Sequence, residues 1–251
     1  MKANSLSSYT LLTFICLTGQ VASGSQAPSE SVGWGAHARA FTEDWTPRGL
    51  GARFAGYHDP STVHINSDDI TIFPYSDGLT VHTGAASTSG RFQMASGSVE
   101  ATVSACLKAP LRVAIWLQSP NNGVKKGHLD AGREIDIAEL YTAPGRLIRV
   151  THAVHAGGYG DAHQHFGSGS VPVSPCQAHV YRANFNSGGY EFFVDGERTW
   201  RATSPFRGKD EYLIFSIEDP GFGMRRVLSK PGSLGYATLS HVMVIQDLAK
   251  P

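Results

Sequence analysis

The chain has 251 residues, of which 41% are hydrophobic, with 28 glycines and 13 prolines. That length suits one large all-β domain or two small domains, and the glycine and proline content predicts many turns. The 21 basic and 21 acidic residues cancel, which argues against a nucleic-acid or anionic-membrane partner held by bulk electrostatics. A neutral substrate fits this balance of charge.

The first segment, residues 1–24, is predicted to be a secretory signal peptide. Lys2 supplies a positive start, the apolar run Tyr9–Leu17 follows, and the small residues of QVASGS offer a cleavage site. The apolar run is too short to span a bilayer, and no second run approaches that length. We therefore expect a secreted protein with no membrane partner after cleavage, a loose lead-in over 25–34 and one folded domain over 35–251.

The cysteines leave two readings open. Cys16 departs with the signal peptide, so that the mature chain keeps Cys106 and Cys176. In an oxidising compartment this even pair suits a disulfide. Two unpaired buried thiols fit the sequence nearly as well, because the sequence does not give their separation in the fold. Two cysteines cannot complete a structural zinc site by themselves.

From Trp34 onward the sequence is a series of short strand-like runs separated by Gly, Pro, Asn, Asp and Ser. Several runs alternate apolar with polar residues, as half-buried antiparallel strands do, and GSVEATVSA does so over most of its length. No capped segment of ten or more residues shows a helical period. The pattern predicts an all-β sandwich or barrel, most simply two stacked antiparallel sheets, with a hairpin that turns at Asp195-Gly196.

One strand-like run, REIDIAELYT, places Glu134, Asp136 and Glu139 among apolar neighbours. Successive side chains of a strand point to opposite faces, so that Glu134 and Asp136 share one face and Glu139 falls on the other. A bulge at Ile137-Ala138 would add one residue to the strand and return Glu139 to the face of the other two acids. The sequence therefore predicts a bulged strand with three carboxylates on one face.

Three clustered carboxylates have a use in sugar chemistry. Retaining glycosidases need two carboxyl groups about 5–5.5 Å apart, one as nucleophile and one as acid/base, and a middle aspartate can hydrogen-bond the nucleophile. The same acids would also suit an exposed strand that faces water, or a calcium site, although the run lacks the loop that usually shapes a calcium cage. A structural calcium ion stays open, and no other cofactor is predicted.

The run Glu134–Glu139 resembles the active-site signature of glycoside hydrolase family 16, E-[hydrophobic]-D-x-x-E, in its bulged form. Its surroundings resemble the same family in the same order, from about Phe41 to Leu248. The matching segments are FQMASGSVEATVSA and VAIWLQ before the motif, and VTHAVHAGG, HVYRANFNSGGYEFFVDGE and HVMVIQDL after it.

This resemblance implies a concanavalin A-like β-jelly-roll sandwich of two antiparallel sheets, with a substrate cleft across the concave sheet. It also implies retaining hydrolysis of internal β-linked bonds in a polysaccharide. Carried over position by position, Glu134 is the nucleophile, Asp136 assists it, and Glu139 is the general acid/base.

Three further residues are candidates for binding the substrate. The resemblance makes Trp116 the tryptophan of the cleft floor, with core packing as the alternative, because aromatic residues in strands more often pack than bind sugars. It makes His155 the histidine of the family's H-Y-G-G segment. Tyr141, two residues past Glu139, is predicted at the edge of the cleft.

The sequence departs from the family at Phe185, where the family usually has tryptophan, and at Thr102, where it has arginine. Neither departure removes a catalytic acid, but both weaken the assignment to one polysaccharide. The segment His-Ala-Gly-Gly at 155–158 resembles laminarinases more than lichenases, so that we favour an endo-β-1,3-glucanase. An agarase, a carrageenase, a mixed-linkage glucanase, a transglycosylase and a non-catalytic lectin-like module stay open. A monomer is expected.

A histidine-rich run, THAVHAGGYGDAHQH, raises the alternative of a zinc site, because imidazole is the commonest metal ligand. His152 and His155 are three residues apart on a predicted strand and therefore face opposite ways. His163 and His165 share a face but fall in a predicted glycine-rich loop without fixed geometry. The sequence therefore predicts no metal site here.

Overall fold

The computed structural model describes residues 38–42, 53–120, 132–142, 146–158, 161–203, 210–220 and 231–247. The predicted signal peptide, the lead-in and the start of the domain at residue 35 lie outside these segments. Within them the regular secondary structure is β-strand, apart from short 3-10 turns such as Pro60–Thr62. None of these segments contains a helix of the length and apolarity that a membrane crossing requires.

The strands are β1 (Ala38–Thr42), β2 (Ala55–His58), β3 (Val63–Ile65), β4 (Ile70–Ile72), β5 (Tyr75–Ser76), β6 (Val81–His82), β7 (Gly84–Ser87), β8 (Gly97–Leu107), β9 (Arg112–Gln118), β10 (Arg133–Tyr141), β11 (Ile148–Ala156), β12 (Gln164–Gly167), β13 (Val171–Val173), β14 (Ala178–Asn186), β15 (Gly189–Val194), β16 (Glu197–Ala202), β17 (Tyr212–Glu218), β18 (Gly232–Ser233) and β19 (Gly235–Asp247).

These strands form two eight-stranded antiparallel sheets, as predicted, and a small three-stranded one. The front sheet has the order β12-β11-β10-β9-β17-β7-β2, with β13 also beside β11. The back sheet has the order β16-β15-β14-β8-β19-β4-β3, with β1 also beside β19. The acid-bearing strand β10 therefore lies inside the front sheet, with β9 and β11 on its two sides.

The core is built from the inward side chains of both sheets. Their positions follow from the alternation of apolar and polar residues along the strands. In β8, Val99, Ala101 and Val103 are buried, and the residues between them are half-buried. Burial of a large apolar side chain contributes about 1.5–3 kcal/mol, so that these alternating positions stabilise the sandwich. Phe185 belongs to this core with 1% of its surface exposed. Its replacement of the family's usual tryptophan is therefore a change in core packing.

Two local features of the structure bear on the sequence analysis: the predicted hairpin turn and the state of the two cysteines. Asp195 and Gly196 join β15 to β16 with φ of 50° and 86°, the two positive values that a type I′ hairpin turn requires, so that the predicted hairpin is confirmed. Cys106 and Cys176 form a disulfide. The bridge ties the end of β8 to the turn before β14, two neighbouring strands of the back sheet.

The predicted loop position of His165 is wrong. His165 lies in β12, directly opposite His155 on β11. The four residues of β12 are all exposed, so that this edge strand has no apolar alternation by which the sequence could reveal it. The prediction that His152 and His155 face opposite ways is confirmed, because His152 is fully buried and His155 lines a surface cleft.

Candidate active site

Strand β10 contains the predicted bulge. Between Asp136 and Glu139, three steps along β10 match two along β11, and the pairing with β9 slips in the same place. Ile137 and Ala138 are therefore consecutive and yet both fully buried in the core. The extra residue returns Glu139 to the outer face, which also carries Glu134 and Asp136.

A cleft with a volume of ≈ 300 Å³ lies on this outer face of the front sheet. Its walls include all six residues that were predicted to act in catalysis or substrate binding, together with four others. The lining residues are Arg112, Ala114, Trp116, Glu134, Asp136, Glu139, Tyr141, His155, His165 and Glu218. The structure thus places Trp116 on the cleft side of β9 rather than in the core between the sheets.

Glu134 is held by side chains from two neighbouring strands. Gln118 Nε2 on β9 donates a hydrogen bond of 3.2 Å to Glu134 Oε2. Tyr212 on β17 in turn donates from its hydroxyl to Gln118 Oε1 at 2.7 Å. Glu134 is 8% exposed and lines the cleft, so that its carboxylate has a defined orientation there.

Asp136 and His155 form a close acid–base pair beside Glu134. His155 Nε2 lies 3.0 Å from Asp136 Oδ2 and 3.8 Å from Glu134 Oε1. Burial, together with the charges of Glu134 and Glu139, raises the pKa of Asp136 to about 7, although the bond to His155 opposes the rise. Burial opposes the charged ring, but Asp136 and the two glutamates raise the pKa of His155. The cluster therefore retains protons near neutral pH.

Glu139 has three partners of its own. Arg112 Nη1 donates to Glu139 Oε1 at 2.7 Å and the Tyr141 hydroxyl reaches the same oxygen at 3.4 Å. The hydroxyl of Thr151 donates to Oε2 at 3.3 Å. Arg112 also pairs through Nη2 with Glu218, so that one guanidinium serves two carboxylates.

A hydrogen-bonded path connects this ion pair to the tryptophan of the cleft. Trp116 Nε1 donates to Ser216 Oγ at 3.1 Å, and Ser216 Oγ donates to Glu218 Oε1 at 2.9 Å. The indole is therefore fixed at its polar edge, which leaves its ring along the cleft wall as a rigid apolar surface.

His163 and His165, which were predicted to fall in a loop without fixed geometry, stack around His155. His163 Nε2 lies 2.9 Å from His155 Nδ1, and the His165 ring stacks on His155 with 4.6 Å between centroids. In the described part of the chain, one group of three ligand-type residues, Glu134, Asp136 and His155, has its ligand atoms within 4.8 Å of one another. Because Asp136 and His155 already bond to each other, we interpret the group as an acid–base cluster.

The start of β10 is anchored by a buried ion pair that sequence reasoning missed. Arg133, 2% exposed, donates through Nη2 to Glu211 Oε2 at 2.7 Å and also pairs through Nε with this fully buried carboxylate. Its Nη1 donates to the Tyr190 hydroxyl at 3.1 Å, and Nη2 to the carbonyl of Ala95 at 3.1 Å. These contacts fix the residue that directly precedes Glu134.

A sequence signal existed for some of the missed residues. Arg112, Trp116 and Gln118 are separated by even numbers of residues along β9 and therefore share a face, as do Ser216 and Glu218 on β17. Once Trp116 is assigned to the cleft, strand alternation alone predicts Arg112 and Gln118 beside it. The pairing of β17 with β9 is a tertiary contact between distant segments, and the sequence carries no comparable signal for it.

Comparison with known proteins gives one family and a set of similar folds. The family model described as glycosyl hydrolases family 16 matches residues 52–213, more than half of the chain. No curated protein matches the chain. The solved structure of SCLam, described as a non-specific endo-β-1,3(4)-glucanase, is 19% identical, with a TM-score of 0.64 over 87% of this chain and 94% of that one.

Two further solved structures have the same architecture. The κ-carrageenase from Pseudoalteromonas carrageenovora is 14% identical, with a TM-score of 0.64 over 89% of this chain and 99% of that one. The laminarinase catalytic domain from Thermotoga maritima is 14% identical, with a TM-score of 0.63 over 83% of this chain and 97% of that one. At these identities the likeness concerns the fold, and it confirms the predicted jelly-roll sandwich.

Proposed function

This chain belongs to family 16 of the glycosyl hydrolases, and from that premise we propose that it is a secreted, retaining endo-β-1,3-glucanase. The observation that carries the proposal is the bulge in β10, which sets Glu134, Asp136 and Glu139 on one face of a single cleft. Retaining hydrolysis requires two carboxyl groups that flank one glycosidic bond, and the shared cleft supports the assignment of Glu134 and Glu139 to this pair.

Glu134 is proposed as the nucleophile. Its hydrogen bond from Gln118 and its neighbour His155 hold the carboxylate in one orientation, which favours attack at a fixed anomeric carbon. Because the pKa of Asp136 is raised to about 7, Asp136 keeps its proton for part of the time at neutral pH. When Asp136 is protonated, it places no second negative charge beside Glu134.

Glu139 is proposed as the acid/base. It would give a proton to the leaving oxygen in the first step and, as a carboxylate, take a proton from water in the second. Arg112 Nη1 donates to Glu139 Oε1 at 2.7 Å, which orients the carboxyl group in the cleft. Glu218 offers Arg112 a second anion, so that the guanidinium keeps an ionic partner while Glu139 holds its proton.

The choice of a neutral β-1,3-glucan rests on two observations. His155 begins the segment His-Ala-Gly-Gly and lines the cleft, and one of the similar folds is described as a laminarinase. The ring of Trp116 offers an apolar surface against which a sugar can pack. Secretion is proposed from the apolar run near the N-terminus, and the disulfide is in keeping with an oxidising compartment.

The first experiment is a screen of the purified protein against laminarin, lichenan, agarose and κ-carrageenan, with product sizes and reducing ends measured. We expect oligosaccharides from laminarin, and proton NMR should show the β-anomer first. Turnover of another glycan in place of laminarin would contradict the substrate, and an α-anomer would contradict retention. Longer products in the presence of excess acceptor would indicate a transglycosylase.

Glu134→Gln tests the nucleophile. The variant keeps the size and hydrogen bonding of the side chain but cannot form the glycosyl ester, so that turnover should fall by roughly 10⁴-fold or more. Glu191→Gln, a change on the back sheet, serves as the matched control and should keep full turnover. Unchanged turnover in Glu134→Gln, with its unfolding curve like that of the wild type, would remove Glu134 from the nucleophile role.

A further inference from the structure

His152 is a fully buried polar residue that the catalytic proposal does not use. It lies on β11 with its side chain towards the core, on the opposite face from His155. In the ladder, its neighbours Thr151 and Ala153 pair with Glu139 and Asp136. His152 therefore stands beside the point at which β10 carries its extra residue.

Both ring nitrogens of His152 have partners. Nδ1 lies 2.7 Å from the carbonyl oxygen of Ile137, which is part of the bulge. Nε2 lies 2.7 Å from the hydroxyl oxygen of Thr199 on β16 of the back sheet. A carbonyl can only accept, so Nδ1 carries the proton of the neutral ring and Nε2 is an acceptor. The Thr199 hydroxyl has two acceptors within reach, Nε2 at 2.7 Å and the Phe192 carbonyl oxygen at 3.2 Å, and the shorter contact is the one to the ring. Burial lowers the pKa of His152, which agrees with this neutral form.

The ring is also fixed by packing. It stacks on Phe192 of β15 with 5.0 Å between centroids and 26° between planes. The imidazole thus connects the bulge in the front sheet to two strands of the back sheet, which gives the Ile137 carbonyl one preferred position. A buried carbonyl without a partner is unfavourable, and at a bulge the neighbouring strand does not supply the regular ladder of partners.

We propose that His152 is a positioning residue for Glu139: by holding the Ile137 carbonyl, it sets the bulge that turns Glu139 into the cleft. The inference rests on the proposed function, in which Glu139 is the acid/base. Its effect is specific to the acid step, because Glu139 lies just beyond the bulge. Glu134 lies before the bulge and is held by Gln118 and the Arg133 anchor.

The test compares two substrates that differ in their need for an acid. Laminarin has a sugar leaving group that requires protonation, whereas 2,4-dinitrophenyl β-laminaribioside has an activated phenolate that leaves without it. We would measure kcat/KM, which covers the steps up to the first bond cleavage and excludes the later base-assisted step. The wild type and Glu139→Gln are measured first, and the latter should lose turnover of laminarin selectively.

His152→Leu removes the donor to Ile137 while keeping the core apolar. We expect kcat/KM on laminarin to fall by about 100-fold, the loss typical of a displaced catalytic group, and kcat/KM on the aryl glycoside to fall by less than about threefold. His152→Asn carries an amide donor near the position of Nδ1 and should restore laminarin turnover to within about tenfold of the wild type.

Val150→Ala is the matched control, because Val150 is also fully buried on the same face of β11 but bonds to no part of the bulge. It should lower the melting temperature and leave the ratio of the two rates unchanged. If His152→Leu does not fold, His152→Gln replaces it, since its longer amide reaches towards Thr199 rather than Ile137 and should show the same selective loss.

Two results in the folded His152 variant would overturn the positioning role: equal losses on both substrates, or full laminarin turnover. Either result would leave the proposed function intact. A wild type that cleaves no glycan of the panel, or a Glu139→Gln variant without selectivity, would overturn the proposed function and this inference with it. Selective loss in His152→Leu, with recovery in His152→Asn, supports the proposal.

Discussion

At the scale of single residues, the cleft has to hold three carboxylates close together against their mutual repulsion. Each acid has partners of a different kind: Gln118 donates to Glu134, Arg112 pairs with Glu139, and a histidine pairs with Asp136. A neutral amide, a fixed cation and a titratable ring give three different electrostatic environments. Chemically similar acids can therefore take different roles in one cleft.

Asp136→Asn should change how stability depends on pH. The ordinary pKa of an aspartate is near 3.8, and that of Asp136 is raised to about 7. Between these values the folded state binds more protons than the unfolded state, so that wild-type stability falls as pH rises. The raised pKa of His155 acts in the same direction, because its stabilisation is present below its ordinary pKa and is lost above the raised one.

The variant has no carboxyl group to ionise at this position. Relative to the wild type, its free energy of unfolding should therefore rise by about 1–3 kcal/mol between pH 4 and pH 8. Urea unfolding at the two pH values measures this difference, with Asp68→Asn, a change at an exposed aspartate outside the cleft, as the control for loss of a carboxyl group. A difference from the wild type that is the same at both pH values would contradict the raised pKa.

At the scale of the element, β10 is the part of the fold that sequence analysis predicted in most detail. The phase slip between Asp136 and Glu139 predicted a bulge at Ile137-Ala138, and the pairing on both sides confirms it. This prediction succeeded because strand alternation is a local rule, and an acid on the wrong face, Glu139, shows where the alternation is broken. The support of the bulge by His152 was not predicted, because it depends on how β11 and β16 approach one another.

Ala138→Val tests whether the bulge tolerates a larger residue. Ala138 is fully buried, so that two added methyl groups should lower the free energy of unfolding by about 1–3 kcal/mol. Because the strand would shift at the bulge, laminarin turnover should also fall, by about tenfold or more. Urea unfolding and initial rates measure the two effects.

Ala101→Val is the control for this experiment. Ala101 is equally buried in β8 of the back sheet, so that the added methyl groups should reduce stability by a similar amount. They should leave turnover unchanged, because the bulge is not touched. Equal turnover in the two variants would show that the bulge is not under tight steric control.

At the scale of the whole molecule, the two sheets divide their tasks. The front sheet carries the cleft, and the back sheet supplies Thr199 and Tyr190 from behind, which hold His152 and Arg133. The disulfide lies in the back sheet, joining the end of β8 to the turn before β14, where Cys176 also donates its N–H to the carbonyl of Ala105 at 2.9 Å. Its contribution should therefore be to stability rather than to catalysis.

Replacing Cys106 and Cys176 together by alanine tests this division. The bridge closes a sequence separation of 70 residues, for which chain entropy predicts a loss of about 4 kcal/mol in the free energy of unfolding. Laminarin turnover at 25 °C should stay within about twofold of the wild type, because no cleft residue is touched. A large loss of turnover in the folded variant would contradict the separation of stability from catalysis.

The sequence by itself determined the all-β class, the hairpin at Asp195-Gly196, the bulge and the candidate acids, because these depend on alternation, turn chemistry and a short motif within one segment. Only the tertiary structure decided the pairing of Cys106 with Cys176, the histidine stack and the contacts of Arg112 and Arg133. These partners come from strands that are distant in sequence and adjacent in the sheets. Their side chains meet only when the strand order is fixed, and strand order follows from packing of the whole sandwich.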